Sequence, residues 1–143
     1  MIKLVAAYLR ARLPENFIGW TQEALEDYVM FHMEQGTLKC AISNGSITAV
    51  VIGWQTSTRE LRPWTWQCQE RTGGYWYWDQ LAGDDAISVM ACCAKMFAHN
   101  PAAALLPAYG VRHGKLRDID LGLKLYRQGQ RLYGRQRTST SSS

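Results

Sequence analysis

Two runs of β-forming residues, Leu38 to Ser43 and Ile47 to Trp54, are joined through Asn44-Gly45. Asn-Gly is the pair best suited to the two positive φ angles of a tight hairpin turn, so this stretch specifies an antiparallel pair of strands. The second run, ITAVVIGW, is apolar on both faces over much of its length. That pattern predicts a central strand rather than an edge, and such a strand needs other elements to cover it.

The covering elements show as helical periodicity. Ile2, Val5, Leu9 and Leu13 fall on one stripe that Pro14 closes, which predicts a first helix. Thr21 is a good N-cap for a second helix running to about Gln35, with Leu25, Tyr28, Val29 and His32 on its core face and Gly36 to end it. After Gly73-Gly74 the run YWYWDQLAG has strong aromatic β propensity. Gly83-Asp84-Asp85 then opens a helix to about Ala98, capped by one of the two aspartates. Its stripe reads as Ile87, Met90, Ala91, Ala94 and Phe97, while Val89, Cys93 and Met96 make much of the rest apolar. Packing on more than one side is expected.

Residues 103 to 112 predict another strand, with Pro107 marking a bulge or splayed edge, and His113-Gly114 predicts a turn. A last helix is expected from about Asp118 or Asp120 to Arg135, with Leu121, Leu125 and Leu132 on one side. Residues 55 to 72 read either as more sheet through Trp64-Thr65-Trp66 or as a long loop. The fold class is α/β (α+β), a mixed and mostly antiparallel sheet flanked by helices. One domain over 1–137 and a disordered Ser/Thr tail over 138–143 are expected.

At 143 residues and 47% hydrophobic content the chain is long enough for one full core and too short for two typical domains. No apolar run approaches the roughly 18 to 20 residues of a membrane span. Tyr8, Arg10 and Arg12 interrupt the start, which does not read as a signal peptide, so a cytoplasmic protein is expected. Cys40, Cys68, Cys92 and Cys93 form no C-x-x-C pair and have no histidine at a zinc-ligand spacing, so no metal is expected. Cys92 and Cys93, within ISVMACCAKMF, read as small hydrophobes.

The net charge of +4 is uneven, with +6 on residues 112 to 137 and −2 on the remainder. Arg127, Arg131 and Arg135 recur at helical spacing and offer a docking face for an acidic carrier or partner protein; plain solvated surface is the simpler reading. No recognition-helix, RNP or zinc-finger pattern accompanies them, so nucleic acid is not an expected partner. Self-association to a homodimer is a further expectation.

Four features bear on chemistry. Asp79 interrupts an aromatic strand, where a carboxylate orients a base or stabilises a cation, or else bonds a nearby backbone N–H. His32 has general-base chemistry available if a cleft reaches it, against the plainer reading of a packed core histidine. His113, in VRHGKLR, reads as a turn residue on a basic loop. Trp64 and Trp66 share one strand face, as do Trp76 and Trp78, so the four rings form a wall if the two runs pair.

The order helix, helix, strand-Asn-Gly-strand, aromatic strand, helix, strand, helix resembles the GNAT acyltransferase fold. LKCAISNGSITAVVIGW looks like that family's hairpin, and YWYWDQLAG with its following helix looks like its next strand and donor-side helix. The resemblance implies acyl transfer from a thioester donor, acyl-CoA or acyl carrier protein, to an amine, with Trp78, Leu81, Ala82 and Gly83 beside the donor. Members that use acetyl-CoA carry a Gly-rich turn before that helix, where this chain has Ala82-Gly83-Asp84-Asp85. The lysine acyltransferases that activate RTX toxins lack that turn, and WYWDQLA is similar to their strand with a catalytic aspartate, which implies that role for Asp79. His32 or His113 is then the histidine expected near the reacting centre. The alternative is a catalytically inactive GNAT-like module that binds a protein partner, as a viral accessory or structural component.

Overall fold

The computed structural model describes residues 1–60 and 72–119. Strands β1 (Leu38–Ser43) and β2 (Ser46–Thr56) form the antiparallel hairpin, turning through Asn44 at φ 52° and Gly45 at φ 78°. Two positive φ values in succession are what an Asn-Gly turn supplies at least cost. β2 is covered on both faces: Val50, Ile52 and Trp54 pack into one core and Ala49 and Val51 into another. The central-strand expectation is borne out.

Helices α1 (Ile2–Arg12) and α2 (Gln22–Gln35) supply the first core, joined by a 3-10 turn over Pro14–Phe17. Thr21 Oγ1 accepts from the N–H of Ala24 at 3.1 Å, and Gly36 takes φ 74° to end α2. Leu25, Tyr28, Val29 and His32 are the buried residues of α2, the stripe its periodicity predicts. Val5, Ala6 and Leu9 of α1 are buried beside them.

β3 (Tyr75–Gly83) pairs antiparallel with β2 and parallel with β4 (Ala108–Arg112). A second hairpin, with His113 at φ 53° and Gly114 at φ 74°, adds β5 (Lys115–Asp118). The sheet order is β1-β2-β3-β4-β5. Parallel strands need a crossover, here α3 (Ala86–Phe97) followed by a 3-10 turn over Pro101–Leu105. α3 packs on the face of the sheet opposite α1 and α2, so the fold is an α+β arrangement with a mixed sheet between helices.

Three expectations need correction. The buried face of α3 is Val89, Cys92, Cys93, Met96 and Phe97; Ile87 is 75% exposed and Ala91 and Ala94 face water. A helix apolar almost all round carries no phase in its composition. The phase comes from its start, where the Asp85 cap and the fit of Val89 against Gly83 orient the first turn. Pro107 stands just ahead of β4 rather than inside it, and its carbonyl accepts from the N–H of Trp76 at 3.0 Å. Proline before a strand costs no ladder bond. Asp118 is the last residue of β5, so it does not begin a helix.

The helix expected up to Arg135, the stripe of Arg127, Arg131 and Arg135, the tail over 138–143, and Trp64 and Trp66 lie outside the described residues. Among the described residues no helix is long and apolar enough to cross a membrane.

Candidate functional site

Asp79 is the extra residue of a β-bulge. Ile52 pairs with Gln80 and Gly53 with Trp78, which leaves Asp79 without a partner on β2. Such a bulge re-aims side chains. Before it β3 alternates, with Tyr75 and Tyr77 toward the α1/α2 core and Trp76 and Trp78 toward α3. After it Leu81 packs toward α3 and Ala82 toward α1 and α2. The phase slips by one residue, so two consecutive polar side chains, Asp79 and Gln80, reach the same neighbours under α2.

Asp79 is partly buried there and accepts two tyrosine hydroxyls, Tyr28 on Oδ2 and Tyr77 on Oδ1, the latter at 2.9 Å. Asn16 Nδ2 donates to Gln80 Oε1 at 2.9 Å and closes the rim of the cluster. Burial pushes the Asp79 carboxyl above its ordinary value, while hydrogen bonds from Tyr28, Tyr77 and Gln80 pull it back. Burial, and then the negative charge of Asp79, hold the Tyr28 hydroxyl well above the usual tyrosine range. Among the described residues no Lys, Arg or His pairs with Asp79. The result is a carboxylate held by neutral donors, with its charge unbalanced by any described cation.

The site also lies where the sheet changes character. β3 and β4 pair in parallel over Trp76↔Ala108, Tyr77↔Tyr109 and Trp78↔Gly110, and the pairing stops at the bulge. β3 continues to Gly83 without β4 beside it.

His32 sits one helical turn from Tyr28 and is fully buried. Its Nδ1 is 2.7 Å from Thr37 Oγ1, whose own hydrogen goes to the carbonyl of His32 at 3.3 Å. Thr37 therefore accepts from Nδ1–H, and Nε2 is left as an acceptor with no partner among the described residues. Desolvation lowers its pKa to about 4. The ring stacks on Trp54 at 5.4 Å and meets Tyr28 edge-on at 4.8 Å. Asp79 and His32 thus share Tyr28, one through its hydroxyl and the other through its ring, but do not bond each other. His113 is exposed at the tip of the β4–β5 turn.

The residues expected beside a donor do not share one surface. Trp78 and Leu81 pack toward α3, with Trp78 buried against Phe97 at 5.8 Å between ring centroids. Ala82 is buried toward α1 and α2, and Gly83 is closed over by Val89, whose Cγ2 would lie 2.3 Å from a Cβ. The N-terminus of α3 is taken by carboxylates. Asp85 Oδ1 accepts from the N–H of Ser88 at 2.7 Å, which holds that carboxyl below its usual value. Asp84 Oδ1 accepts from Tyr8 at 2.7 Å and from Arg12 at 2.5 Å. An incoming phosphate would meet two negative groups at this helix end.

Tyr28, Tyr77 and Gln80 were not readable from sequence as partners of Asp79. Tyr77 has the one usable signal, since it lies two residues away on the same strand face; nothing local links Tyr28 to Asp79. Among the described residues no three His, Cys, Asp or Glu side chains gather as a metal-holding group. Comparison of the chain with models of known families, with curated proteins and with solved structures gives no match.

Proposed function

We propose that this protein transfers an acyl group from a thioester donor to an amine, with Asp79 as the group that receives the amine. The observation that carries this reading is a partly buried carboxylate, displaced from its strand by a bulge, held by Tyr28 and Tyr77, and facing no described cation. Burial raises its proton affinity, which suits a base that must take a proton from an ammonium or attacking amine. In that step the amine nitrogen bonds to the thioester carbonyl carbon, the C–S bond breaks, the nitrogen's proton passes to Asp79, and the thiolate leaves to take up a proton. The end of β3–β4 pairing beside Asp79 is where a donor would enter. Its carrier is more consistent with a protein-bound pantetheine than with acetyl-CoA, because Asp84 and Asp85 occupy the α3 terminus that would otherwise receive a pyrophosphate.

A second reading, a non-catalytic module of the same kind that binds a protein partner, is favoured by the complete burial of His32, which leaves Asp79 without a histidine partner. The two separate in a thermal-shift screen with coenzyme A, acetyl-CoA, a long-chain acyl-CoA and acylated carrier protein. A ligand at about 100 times its Kd adds about 2.7 kcal/mol of stability. A rise in Tm with a thioester donor, and acyl transfer that Asp79→Asn lowers by about 100-fold or more, supports the enzyme. Absence of any shift across the panel, or activity undiminished in Asp79→Asn, removes that role.

A further inference from the structure

β2 outruns β1. The last pair of their hairpin is Leu38↔Ile52, and one further bond, from the N–H of Gly53 to the carbonyl of Thr37 at 3.0 Å, completes it. β2 continues through Trp54, Gln55 and Thr56, which keep β3 as their neighbour on one side. On the other side β1 is absent, because Gly36 brings the chain in from α2 just ahead of Thr37.

In an antiparallel strand a residue's N–H and C=O point to one side, and the next residue's point to the other. β2 keeps this alternation: Val50, Ile52 and Trp54 face one core, while Ala49, Val51 and the Cβ position of Gly53 face the other. Gly53 aims its N–H at β1, so Gln55, two residues on, presents its N–H and C=O on that same side. Among the described residues nothing there meets either group. The Gln55 side chain is engaged instead, with Nε2 donating to the carbonyl of Gly73 at 3.2 Å and Oε1 accepting from Asn100 Nδ2 at 3.1 Å.

A cleft of about 240 Å³ lies at this open edge, between the α2–β1 turn, the last residues of β2 and the C-terminal end of α3. Residues opposite each other on paired strands put their side chains on the same face. Gln55 faces α3, so a residue paired with it would direct its side chain to the α3 wall, where Met96, Phe97 and Ala103 line the cleft. An apolar cavity of about 150 Å³ holds benzene, so one Leu-sized side chain fits. Among the described lining residues none is Lys, Arg, His, Asp or Glu, and a charged side chain would lose hydration with no counter-charge in return. The open stretch is three residues, roughly 10 Å, closed at one end by the α2–β1 turn. That length admits a flexible segment and not the edge of a second folded sheet.

We infer that this edge binds an extended peptide segment of a partner protein, which adds a short strand beside β2, exchanges a pair of backbone hydrogen bonds with Gln55 and seats one apolar side chain against Met96 and Phe97. The site stands or falls apart from the chemistry at Asp79, which reaches under α2 on the other face of the sheet.

The test is a 1H–15N NMR titration of the full chain with the peptide acetyl-Thr-Val-Leu-Val-Thr-amide. Two controls change only the peptide and leave the protein intact: one carries N-methyl-leucine, which cannot donate to the Gln55 carbonyl, and one carries aspartate in place of leucine. The backbone amide signal of Gln55 moves with the first peptide, N-methylation weakens binding by about threefold to tenfold, the loss of one hydrogen bond, and the aspartate peptide leaves the signal in place. A static Gln55 amide at millimolar peptide, equal affinity for the N-methylated peptide, or an equal response to the aspartate peptide would each overturn the assignment. A Gln55 signal that moves with protein concentration alone would put a second copy of the chain at this edge and overturn it as well.

Discussion

The hydroxyl of Tyr28 donates to the carboxylate of Asp79 across 51 positions of sequence. One residue comes from a helix and the other from a strand bulge, so the bond ties α2 to the middle of the sheet at the point where β3 ceases to pair with β4. The same tyrosine ring lies edge-on to His32, which in turn stacks on Trp54. Any change at Tyr28 therefore reaches both the carboxylate and the aromatic core beneath it.

Tyr28→Phe keeps the ring and removes only the donor. The variant is expected to lose about 1–3 kcal/mol in urea unfolding, as a partly buried carboxylate gives up one of its charge-assisted bonds. The Asp79 carboxyl rises further, because the hydrogen bond from Tyr28 is the first of the contacts that lower it. Carboxyl-carbon NMR reads that rise directly. An unchanged titration would mean that Tyr28 does not hold this carboxylate in solution.

The pH dependence of Asp79 has a definite sign. Its folded pKa lies above the ordinary value of 3.8, so its contribution to stability is fully present below that pH and is lost as pH rises through the folded pKa. Stability of the wild type relative to Asp79→Asn is expected to fall across that window, measured by denaturant unfolding at a series of pH values. A difference that does not vary with pH would remove the raised pKa.

What could be read from the chain and what could not follow from where each signal is written. The Asn44-Gly45 turn, the Thr21 cap and the Gly36 stop are local, each set by the φ preference or hydrogen bonding of one or two residues, and each holds in the structure. The β3 bounds also hold, from the aromatic run and its flanking glycines. The bulge at Asp79 depends on how β3 registers with Gly53 of β2, and its only trace in sequence is two adjacent polar residues in an aromatic strand. The facing of α3 is not written locally for a related reason: Ile87, Ala91 and Ala94 are as apolar as the residues that are buried, so periodicity cannot choose between them.

His32 makes the opposite pH contribution. Its pKa falls from 6.5 to about 4, so the stability it gives is present above pH 6.5 and is lost as pH falls toward 4. The loss over that interval is on the order of 3 kcal/mol at 1.36 kcal/mol per unit. Unfolding at pH 7.5 and pH 4.5 measures it, with His32→Leu expected to remove this part of the slope. A slope that survives the substitution would assign it to other groups.

Cys92 and Cys93 differ from Cys40 in access to reagent. Burial pushes their thiols up to about 11 and about 12, so at pH 8 only roughly one part in a thousand or less is the reactive thiolate. Cys40 is only partly buried. Alkylation of the native chain with iodoacetamide, followed by peptide mass mapping, is expected to label Cys40 well before either helix cysteine. Early labelling of Cys92 or Cys93 would show that α3 opens from the sheet.

Gly53 and Gly74 give a paired test of the packing around the bulge. A Cβ at Gly53 would lie 2.7 Å from Trp78 Cε3, 2.8 Å from Trp76 Nε1 and 2.9 Å from the carbonyl oxygen of Tyr77. The first two belong to rings wedged against Phe97 and the third is backbone, so none can yield without moving β3 or the α3 contact. Gly53→Ala is expected to cost about 1–3 kcal/mol through overpacking. Near-UV circular dichroism should change with it, because two indoles shift. A Cβ at Gly74 meets nothing within 4 Å, so Gly74→Ala is expected to stay within about 0.5 kcal/mol of wild type. If both substitutions were equally mild, the rings of Trp76 and Trp78 would not be seated on Gly53, and the bulge that places Asp79 beside Tyr28 would lose its main packing constraint.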